Sequence, residues 1–230
     1  MKPIVIIPAR GGSKRIPRKN IVEISGQSAL TILILKLARM NLFEEIVVST
    51  DDDEISRISR SAGATVAMRS SPELSNDITP SEEVVRDFIA VRGLQNSESS
   101  VLCVYPLALL LNDTEIKEAL NLLRESPEKF VISAGETPVN PLRHNFILDR
   151  SNISVLFPEN NAKRSQDLEK TFFDVGMFYL AHPKTWMDPE KYWYRNNSRV
   201  VVIPKENCID VDTEEDLVKL KSQYAKTNLN

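Results

Sequence analysis

The sequence predicts an α/β protein with a mostly parallel sheet that carries helices on both faces. Apolar runs typical of strands alternate with segments of helical period along most of the chain. The strand runs are continuously apolar, as is typical of parallel strands that are buried on both faces. The chain has 230 residues, of which 42% are hydrophobic, enough to bury a full core. We therefore expect one domain over residues 1–230.

Five short apolar segments are predicted to form the main strands. They are "PIVIIP" (3–8), "EIVVST" (45–50), "TVAM" (65–68), "SVLCVYP" (100–106) and "FVISAG" (130–135). In open sheets of this class, ligands bind beyond the carboxyl ends of the strands. The residues that directly follow these strands are therefore the predicted location of a binding site.

The segments between the strands carry helical signals. Residues 28–41 place apolar side chains at helical spacing, and "DDDEISRISRSAG" begins with acidic residues and ends at Gly63. In "TPSEEVVRDFIAVRG" (79–93), Thr79 is the predicted cap and Pro80 the first helical residue. Further helices are predicted at 113–124 and in "DTEEDLVKLKSQYAK" near the end of the chain.

The alternation breaks after residue 135. Residues 136–165 are rich in Pro, Asn and Arg, with short candidate strands at "NFILDR" and "ISVLFP". We interpret the region of about 136–175 as an excursion from the sheet, and we favour a subunit interface over a separate domain. "TFFDVGMFYLA" and "SRVVVIP" then return to the core.

Composition excludes several classes of function. The formal net charge of −3 gives no field that would favour nucleic acid or an anionic membrane, and no apolar stretch approaches the length of a membrane span. Cys103 and Cys208 lack metal-site spacing and are expected to be free thiols in a reducing cytoplasm. His144 and His182 lack the partners of a metal cluster or of a nucleophile–base pair.

The strongest functional signal is "IPARGGSKRIPRKN", residues 7–20, which follows the first strand. Five basic side chains surround two adjacent glycines in this segment. Glycine lets backbone N–H groups approach an anion, and Lys and Arg donate charge-assisted hydrogen bonds to phosphate oxygens. The segment matches neither the Walker A pattern nor G-x-G-x-x-G, so it predicts a different phosphate-binding loop. The alternative is a solvated basic turn, which the mutual repulsion of so many cations disfavours.

The second signal is the carboxylate pair in "CIDVDTEED". If this segment is a strand, Asp210 and Asp212 point to the same face. Two carboxylates beside substrate phosphates suit a hard divalent cation such as Mg²⁺. The alternative is structural, since Asp212 or Thr213 could cap the last helix, with Thr213 and Asp216 forming a capping box.

Weaker signals come from polar residues near other strand ends. "STDDDEI" is interpreted as an acidic helix start with no further role. Arg69 follows the third strand and is a candidate nucleotide contact or a surface residue. Arg164 and Gln166 in "KRSQDLEK" are candidate ligand contacts or members of a surface or interface ion pair.

Taken in order, these motifs resemble a known family. "IPARGGSKRIPRKNI", "VSTDDDEI", "RSSPELSND", "RSQDL", "DVGMFYL" and "DVDTEED" occur in the order seen in the CMP-sialic acid synthetases, the acylneuraminate cytidylyltransferases. The sequences of the first and fourth motifs are most similar to those of the pseudaminic acid cytidylyltransferase branch. The resemblance spans essentially the whole chain.

The resemblance implies a nucleotidyltransferase fold of Rossmann-like type, a homodimer, and Mg²⁺-assisted transfer of CMP from CTP to a nine-carbon 2-keto sugar acid. It implies that Arg10, Lys19, Asp210 and Asp212 are catalytic and that the two carboxylates hold Mg²⁺. The implied substrate contacts fall into three groups. They are Arg10, Gly12, Ser13, Lys14 and Lys19 at the phosphates, Asn20 and Arg69 near the nucleoside, and Tyr105, Arg164 and Gln166 elsewhere in the substrate pocket or at its dimer-borne edge.

One stretch departs from the family pattern. After the fourth strand the family has a polar sequence such as Tyr-Pro-Thr-Ala-Pro, whereas this chain has "YPLALLL", with Leu107 and Leu109 at the Thr and Pro positions. A missing hydroxyl in a sugar pocket leaves a substrate group unpaired, at a cost of about 1–3 kcal/mol. N-acetylneuraminate, legionaminate and Kdo therefore stay open as acceptors beside pseudaminic acid, as does a non-catalytic CTP-binding protein.

Overall fold

The computed structural model of the chain describes residues 1–69, 71–76, 78–143, 145–191 and 198–227. The described residues form a seven-stranded central sheet and two small two-stranded sheets. The strands are β1 (Ile4–Pro8), β2 (Glu23–Ile24), β3 (Gln27–Ser28), β4 (Glu45–Thr50), β5 (Thr65–Met68), β6 (Val101–Val104), β7 (Phe130–Glu136), β8 (Phe146–Asp149), β9 (Asn152–Val155), β10 (Phe172–Ala181) and β11 (Ser198–Val202). The helices are α1 (Ala29–Met40), α2 (Asp53–Ser61), α3 (Ser81–Val91), α4 (Asp113–Glu125), α5 (Pro183–Met187) and α6 (Glu214–Thr227).

The central sheet has the strand order β11-β7-β10-β6-β1-β4-β5. Its strands pair in parallel except for β10, which is antiparallel to both β6 and β7. The predicted α/β class with a mostly parallel sheet is therefore confirmed. The five predicted strands are present, with ends that differ by a few residues from the prediction.

Apolar side chains on both faces of the sheet produce two cores. Along β1, Val5 and Ile7 are buried in one cluster with side chains of α1, α4 and α6, whereas Ile4 and Ile6 are buried in the other with α3 and α5. Successive side chains of a strand point to opposite faces, so an uninterrupted apolar run fills both layers. This confirms the expectation of helices on both faces.

The strand order places a switch point at β1. From β1 the chain continues to β4 and β5 on one side, whereas β6 pairs on the other side. A crevice forms beyond the carboxyl ends of strands where connections diverge in this way. The loops after β1 and after β6 therefore flank one crevice, and the basic loop is one of them.

The starts of two helices can be compared with the capping residues predicted from the sequence. The Thr213–Asp216 capping box is confirmed at α6, because the Thr213 amide donates to Asp216 Oδ2 over 3.1 Å and the Asp216 amide donates to Thr213 Oγ1 over 3.3 Å. The predicted cap at Thr79 is wrong. Pro80 occupies the cap position of α3, and the Thr79 hydroxyl donates instead to the Glu73 carbonyl.

The two short strands expected after residue 135 are confirmed as β8 and β9. They form an antiparallel hairpin that is separate from the central sheet. Phe146, Ile147, Leu148 and Ile153 of this hairpin are exposed. The hairpin lies within the predicted excursion, and its role in a dimer stays a prediction.

Two further sequence expectations can be compared with the structure. Cys103 and Cys208 are free thiols, the first buried and the second partly buried. Among the described residues, no helix combines the length and apolar character that crossing a membrane requires. His144 lies outside the described residues.

Candidate active site

A pocket of about 330 Å³ opens at the crevice beside β1. Its wall combines the loops after β1, β5 and β6, the start of α3, the middle of β10 and the segment before α6. Eight predicted site residues line it: Arg10, Ser13, Lys19, Asn20, Arg69, Tyr105, Asp210 and Asp212. The structure thus brings most of the separate sequence motifs to one place.

The basic loop is closed by hydrogen bonds to its own backbone and to the segment before α6. The Asn20 side chain is buried and donates to the Arg10 carbonyl over 2.9 Å. Lys19 Nζ donates to the Val211 carbonyl over 2.7 Å. These contacts hold the two ends of the loop together and place its cations beside the carboxylates. Asn20 therefore has a structural role in addition to its place in the pocket wall.

The acidic start of α2 does more than the sequence interpretation assigned to it. Asp52 caps the helix by accepting from the Ile55 amide over 2.9 Å, and Asp51 accepts from the Gly11 amide over 3.1 Å. Arg18 donates to both oxygens of Asp52. The interpretation of "STDDDEI" as a helix start with no further role is therefore wrong. Neighbouring strands β1 and β4 bring the two loops together, which sequence spacing alone did not reveal.

Asp210 and Asp212 both line the pocket, although the expectation that they lie on a strand is wrong. Their segment has no regular structure and connects a short 3₁₀ helix to α6. Burial raises the pKa of the Asp210 carboxyl, and the nearby Asp212 charge raises it further. Arg15 Nη2 lies 2.9 Å from Asp212 Oδ1, and Lys19 Nζ lies 3.8 Å from the same oxygen.

This carboxylate pair fits a divalent cation. Mg²⁺ in nucleotide sites takes one or two protein carboxylates and completes its shell with phosphate oxygens and water. The raised pKa of Asp210 reflects its partial burial first and the neighbouring Asp212 charge second, and a bound cation would offset both effects. Among the described residues, no group of three or more His, Cys, Asp or Glu side chains could hold a metal, so the site would depend on substrate oxygens.

A bulge in β10 shapes the wall next to Asp210, and sequence reasoning did not identify it. The pairing of β10 with β7 shifts between Asp174 and Tyr179. Gly176 adopts φ +66° within this bulge, and a Cβ there would lie 3.8 Å from the Asp210 carboxylate. Asp174 fixes the bulge by accepting from the Gly176 amide over 2.8 Å and from the Tyr179 hydroxyl over 2.6 Å. The signal was available, because Asp and Gly inside an apolar strand mark a bulge.

Arg69 lies directly after β5, as expected, and lines the pocket. Its Nη1 donates to the Leu74 carbonyl over 2.6 Å, while its Nε is buried without a hydrogen-bond partner among the described residues. Burial lowers the pKa of this guanidinium. Arg69 is thus a partly buried residue of the pocket wall and not a fully exposed surface arginine, and its contact to a nucleotide stays a prediction.

Four predicted residues do not line this pocket. Gly12 and Lys14 are exposed at the outer part of the basic loop. Arg164 and Gln166 are exposed, and Arg164 forms an ion pair with Asp167 at 2.8 Å. A surface ion pair was the alternative for Arg164, and a role at a dimer-borne edge stays a prediction.

The stretch after β6 that departs from the family pattern, "YPLALLL", contributes some residues to the pocket wall and others to the core. Leu107 lines the pocket, whereas Leu109 is fully buried in the core. Tyr105 also lines the pocket, and its ring packs edge-on against Tyr179 with the centroids 5.8 Å apart. Burial raises the pKa of Tyr105, so its hydroxyl is neutral at physiological pH. Of the two departures from the family pattern, only Leu107 is therefore placed to contact a ligand here.

Comparison with known proteins gives a consistent result. The family model described as cytidylyltransferase matches residues 4–226. Pseudaminic acid cytidylyltransferase from Campylobacter jejuni subsp. jejuni serotype O:2 is 37% identical over 226 residues, which cover 97% of each chain. N-acylneuraminate cytidylyltransferase from Streptococcus agalactiae serotype V is 29% identical over 95% of this chain, which spans about half (52%) of that protein.

Solved structures agree on the fold. The CMP:2-keto-3-deoxy-manno-octonic acid synthetase complexed with CTP superposes with a TM-score of 0.70 at 16% identity, covering 99% of this chain and 100% of the other. The 4-diphosphocytidyl-2C-methyl-D-erythritol synthase from Anaerococcus prevotii gives a TM-score of 0.60 at 18% identity, covering 98% and 99%. With a family model that spans nearly all of its residues, the chain belongs to the cytidylyltransferase family and is a nucleotidyltransferase enzyme.

Proposed function

We propose that this enzyme transfers CMP from CTP to a nine-carbon 2-keto sugar acid, with pseudaminic acid as the first candidate and Mg²⁺ as cofactor. The observation that carries the proposal is the convergence of Arg10 and Lys19 with Asp210 and Asp212 in one pocket. The similarity to the C. jejuni pseudaminic acid cytidylyltransferase over nearly the full length of both chains supports the choice of acceptor.

In the proposed reaction, the anomeric hydroxyl oxygen of the sugar acid forms a bond to the α-phosphorus of CTP, and the hydroxyl proton passes to solvent water. The bond from that phosphorus to the oxygen bridging to the β-phosphorus breaks, and pyrophosphate leaves. Arg10 and Lys19 bind the phosphates and neutralise charge that develops on the leaving group. The loop holds these cations in place before the substrate arrives, which lowers the entropic cost of reaching the reactive geometry.

Asp210 and Asp212 are the residues that would hold Mg²⁺. The ion supplies electrostatic neutralisation and polarises phosphoryl oxygens when bound. Tyr105 is neutral, so it can only donate or accept a hydrogen bond near the acceptor.

The exposed apolar side chains of the β8–β9 hairpin support a homodimer. Four large apolar residues of one small hairpin are exposed, and further apolar side chains at the start of β10 are exposed as well. Several exposed apolar side chains in one small element favour a protein–protein contact. We propose that two copies of the chain associate through this surface, and that the chain works in the cytoplasm.

The test is pyrophosphate release from CTP with a panel of acceptors: pseudaminic acid, legionaminate, N-acetylneuraminate and Kdo. We expect release only with acceptor and Mg²⁺ together, fastest with pseudaminic acid. Asp212→Asn should abolish most of this rate, and an unchanged rate would refute the metal assignment. CTP binding without turnover on any acceptor would instead support a non-catalytic nucleotide-binding protein.

A further inference from the structure

Arg18 of the basic loop turns toward carboxylates that lie outside the pocket. Its Nη1 lies 2.5 Å from Asp52 Oδ2, and its Nη2 lies 3.0 Å from Asp52 Oδ1 and 2.5 Å from Glu54 Oε2. Both terminal nitrogens are therefore engaged by carboxylates at the start of α2, from its cap residue Asp52 and from Glu54 in its first turn. A fork-to-fork arginine–carboxylate contact fixes orientation as well as distance. Arg18 is also absent from the pocket wall.

The backbone at Arg18 supports the same conclusion. Arg18 has φ 55° and ψ 32°, in the left-handed region that a residue with a Cβ adopts at an energetic cost. Such a conformation persists when surrounding contacts over-determine it. The two carboxylate partners are contacts of that kind, and the loop turns at this residue into the short helix that carries Lys19 and Asn20.

The other end of the loop contacts the turn between β4 and α2. The Gly11 amide donates to Asp51 Oδ1 over 3.1 Å, and a Cβ built on Gly11 would lie 2.5 Å from Asp52 Oδ2. Gly11 therefore sits so close to Asp52 that a larger side chain does not fit. The loop is held to the β4–α2 turn at Gly11 and at Arg18, with Ser13 between these two points, Arg10 directly before Gly11 and Lys19 directly after Arg18.

We propose that Arg18 is a positioning residue: its ion pair with Asp52 and Glu54, together with the Gly11 contact, latches the basic loop so that Arg10, Ser13 and Lys19 face the pocket before nucleotide binds. This inference rests on the proposed function, since it concerns the affinity for CTP. Arg18 acts through the loop and does not contact the nucleotide. We use the term latch for the contacts of Arg18 and Gly11 with residues 51–54.

The latch predicts a particular kinetic signature. If the latch is broken, only a fraction of the protein molecules hold the loop in the conformation that binds CTP. The apparent dissociation constant for CTP then rises by the inverse of that fraction. The complex that does form has the same geometry, so kcat changes little. Arg18→Met should therefore raise KM for CTP by roughly tenfold, with kcat and the KM of the sugar acid within about twofold of wild type.

Asp52→Asn is a matched second variant. Asn is as good a helix cap as Asp and has nearly the same shape beside Gly11, but it lacks the charge that holds Arg18. We expect a rise in KM for CTP no larger than that of Arg18→Met, because Glu54 still pairs with Arg18, and a double variant no worse than Arg18→Met, which already removes both ion pairs. Arg18→Lys keeps the charge without the fork and should give an intermediate KM.

Arg92→Met is the control variant. Arg92 Nη2 pairs with Glu45 Oε2 at 2.9 Å, and its side chain is as exposed as that of Arg18, 39% in each case. This ion pair lies away from the pocket wall. We expect Arg92→Met to leave KM for CTP unchanged. If it raised KM as much as Arg18→Met does, general destabilisation would account for both and the latch would be rejected.

Hydrogen exchange provides a readout that needs no substrate. We expect amides of residues 9–22 to exchange roughly tenfold faster in Arg18→Met and Asp52→Asn than in wild type or Arg92→Met. Unchanged exchange would refute the latch, as would additive effects in the double variant. A lower KM for CTP in Asp52→Asn would also refute it, because that result would indicate that Arg18 binds the nucleotide directly. A wild-type enzyme without CTP turnover would refute the proposed function while leaving the exchange experiment as a test of the latch.

Discussion

Arg15 and Asp212 form an ion pair, with Arg15 Nη2 2.9 Å from Asp212 Oδ1. One partner belongs to the basic loop and the other to the proposed Mg²⁺ ligands. The side chains are 70% and 46% exposed, so the pair contributes little to stability. The pair matters because Arg15 occupies an oxygen that a divalent cation would also use.

Arg15→Ala should therefore tighten the apparent affinity for Mg²⁺. Removing a competing cation frees the Asp212 carboxylate, and an exposed pair of this kind is worth up to about 1 kcal/mol, or roughly fivefold in affinity. We expect the Mg²⁺ concentration for half-maximal pyrophosphate release to fall two- to fivefold. A higher requirement for Mg²⁺ would show that Arg15 supports metal binding and does not compete with it.

Asp210→Asn should increase the stability of the folded protein while decreasing its activity. The pKa of Asp210 is raised by burial and by Asp212, so its charge destabilises the folded protein at neutral pH. In the absence of divalent metal, the variant should gain up to about 1 kcal/mol in the free energy of unfolding while losing turnover. Urea denaturation with a chelator present measures the first effect, and a loss of stability would contradict this account.

Asp216→Asn should have the opposite effect on stability. Asp216 accepts from the Thr213 hydroxyl and from Lys219, which hold its pKa at about 2. A depressed carboxyl pKa contributes stability that is complete above the unfolded value of 3.8 and is lost as pH falls toward 2. We expect a cost of about 1 kcal/mol at pH 7 and at pH 5, and a smaller cost at pH 3, measured by urea denaturation. A cost that stayed constant at pH 3 would argue against this linkage.

Gly11→Ala should destabilise the protein, because its Cβ would lie 2.5 Å from Asp52 Oδ2. Relieving that clash requires movement of the loop or of the α2 cap, at about 1–3 kcal/mol. Gly12→Ala is the control for stability, since a Cβ there meets no atom within 4 Å. Equal melting temperatures for the two variants would show that the Gly11 contact is not tight.

Ile147→Glu should convert the proposed dimer to a monomer in sedimentation velocity. A charge on the exposed apolar hairpin would have to be desolvated in an interface. Val218→Glu is the control, since Val218 of α6 is 64% exposed and Ile147 is 60% exposed. A monomeric wild-type protein would refute the dimer. Loss of the dimer in Val218→Glu would indicate that the interface involves α6 instead of the hairpin.

Much of this fold follows from local sequence signals, and the errors have a common physical cause. Apolar runs identified the main strands because a strand buried on both faces must be apolar at every position. The interpretation of the acidic turn failed because Asp52 meets Arg18 only through the pairing of β1 with β4. Asp210 and Asp212 were correctly grouped although their segment is not a strand, since their separation along the chain is short.

The position of Leu107 illustrates a further limit. Leu107 and Leu109 looked like equivalent departures from the family pattern. Only the turn after β6 decides that the first lines the pocket and the second joins the core. Periodicity gives no direction for a side chain in an irregular segment.

Strand β10 has a consequence for how the site is assembled. It begins with Phe172 and Phe173, exposed apolar residues, and a few residues later its bulge carries Gly176 to the wall beside Asp210. Its antiparallel course between β6 and β7 is what makes this span possible. The regular pairing of this outer end with β7 stops at Asp174, where the bulge begins, so only a few residues separate the exposed aromatic side chains from the pocket wall. If two chains associate through that end, the interface would lie a few residues along one strand from the residues that shape the pocket.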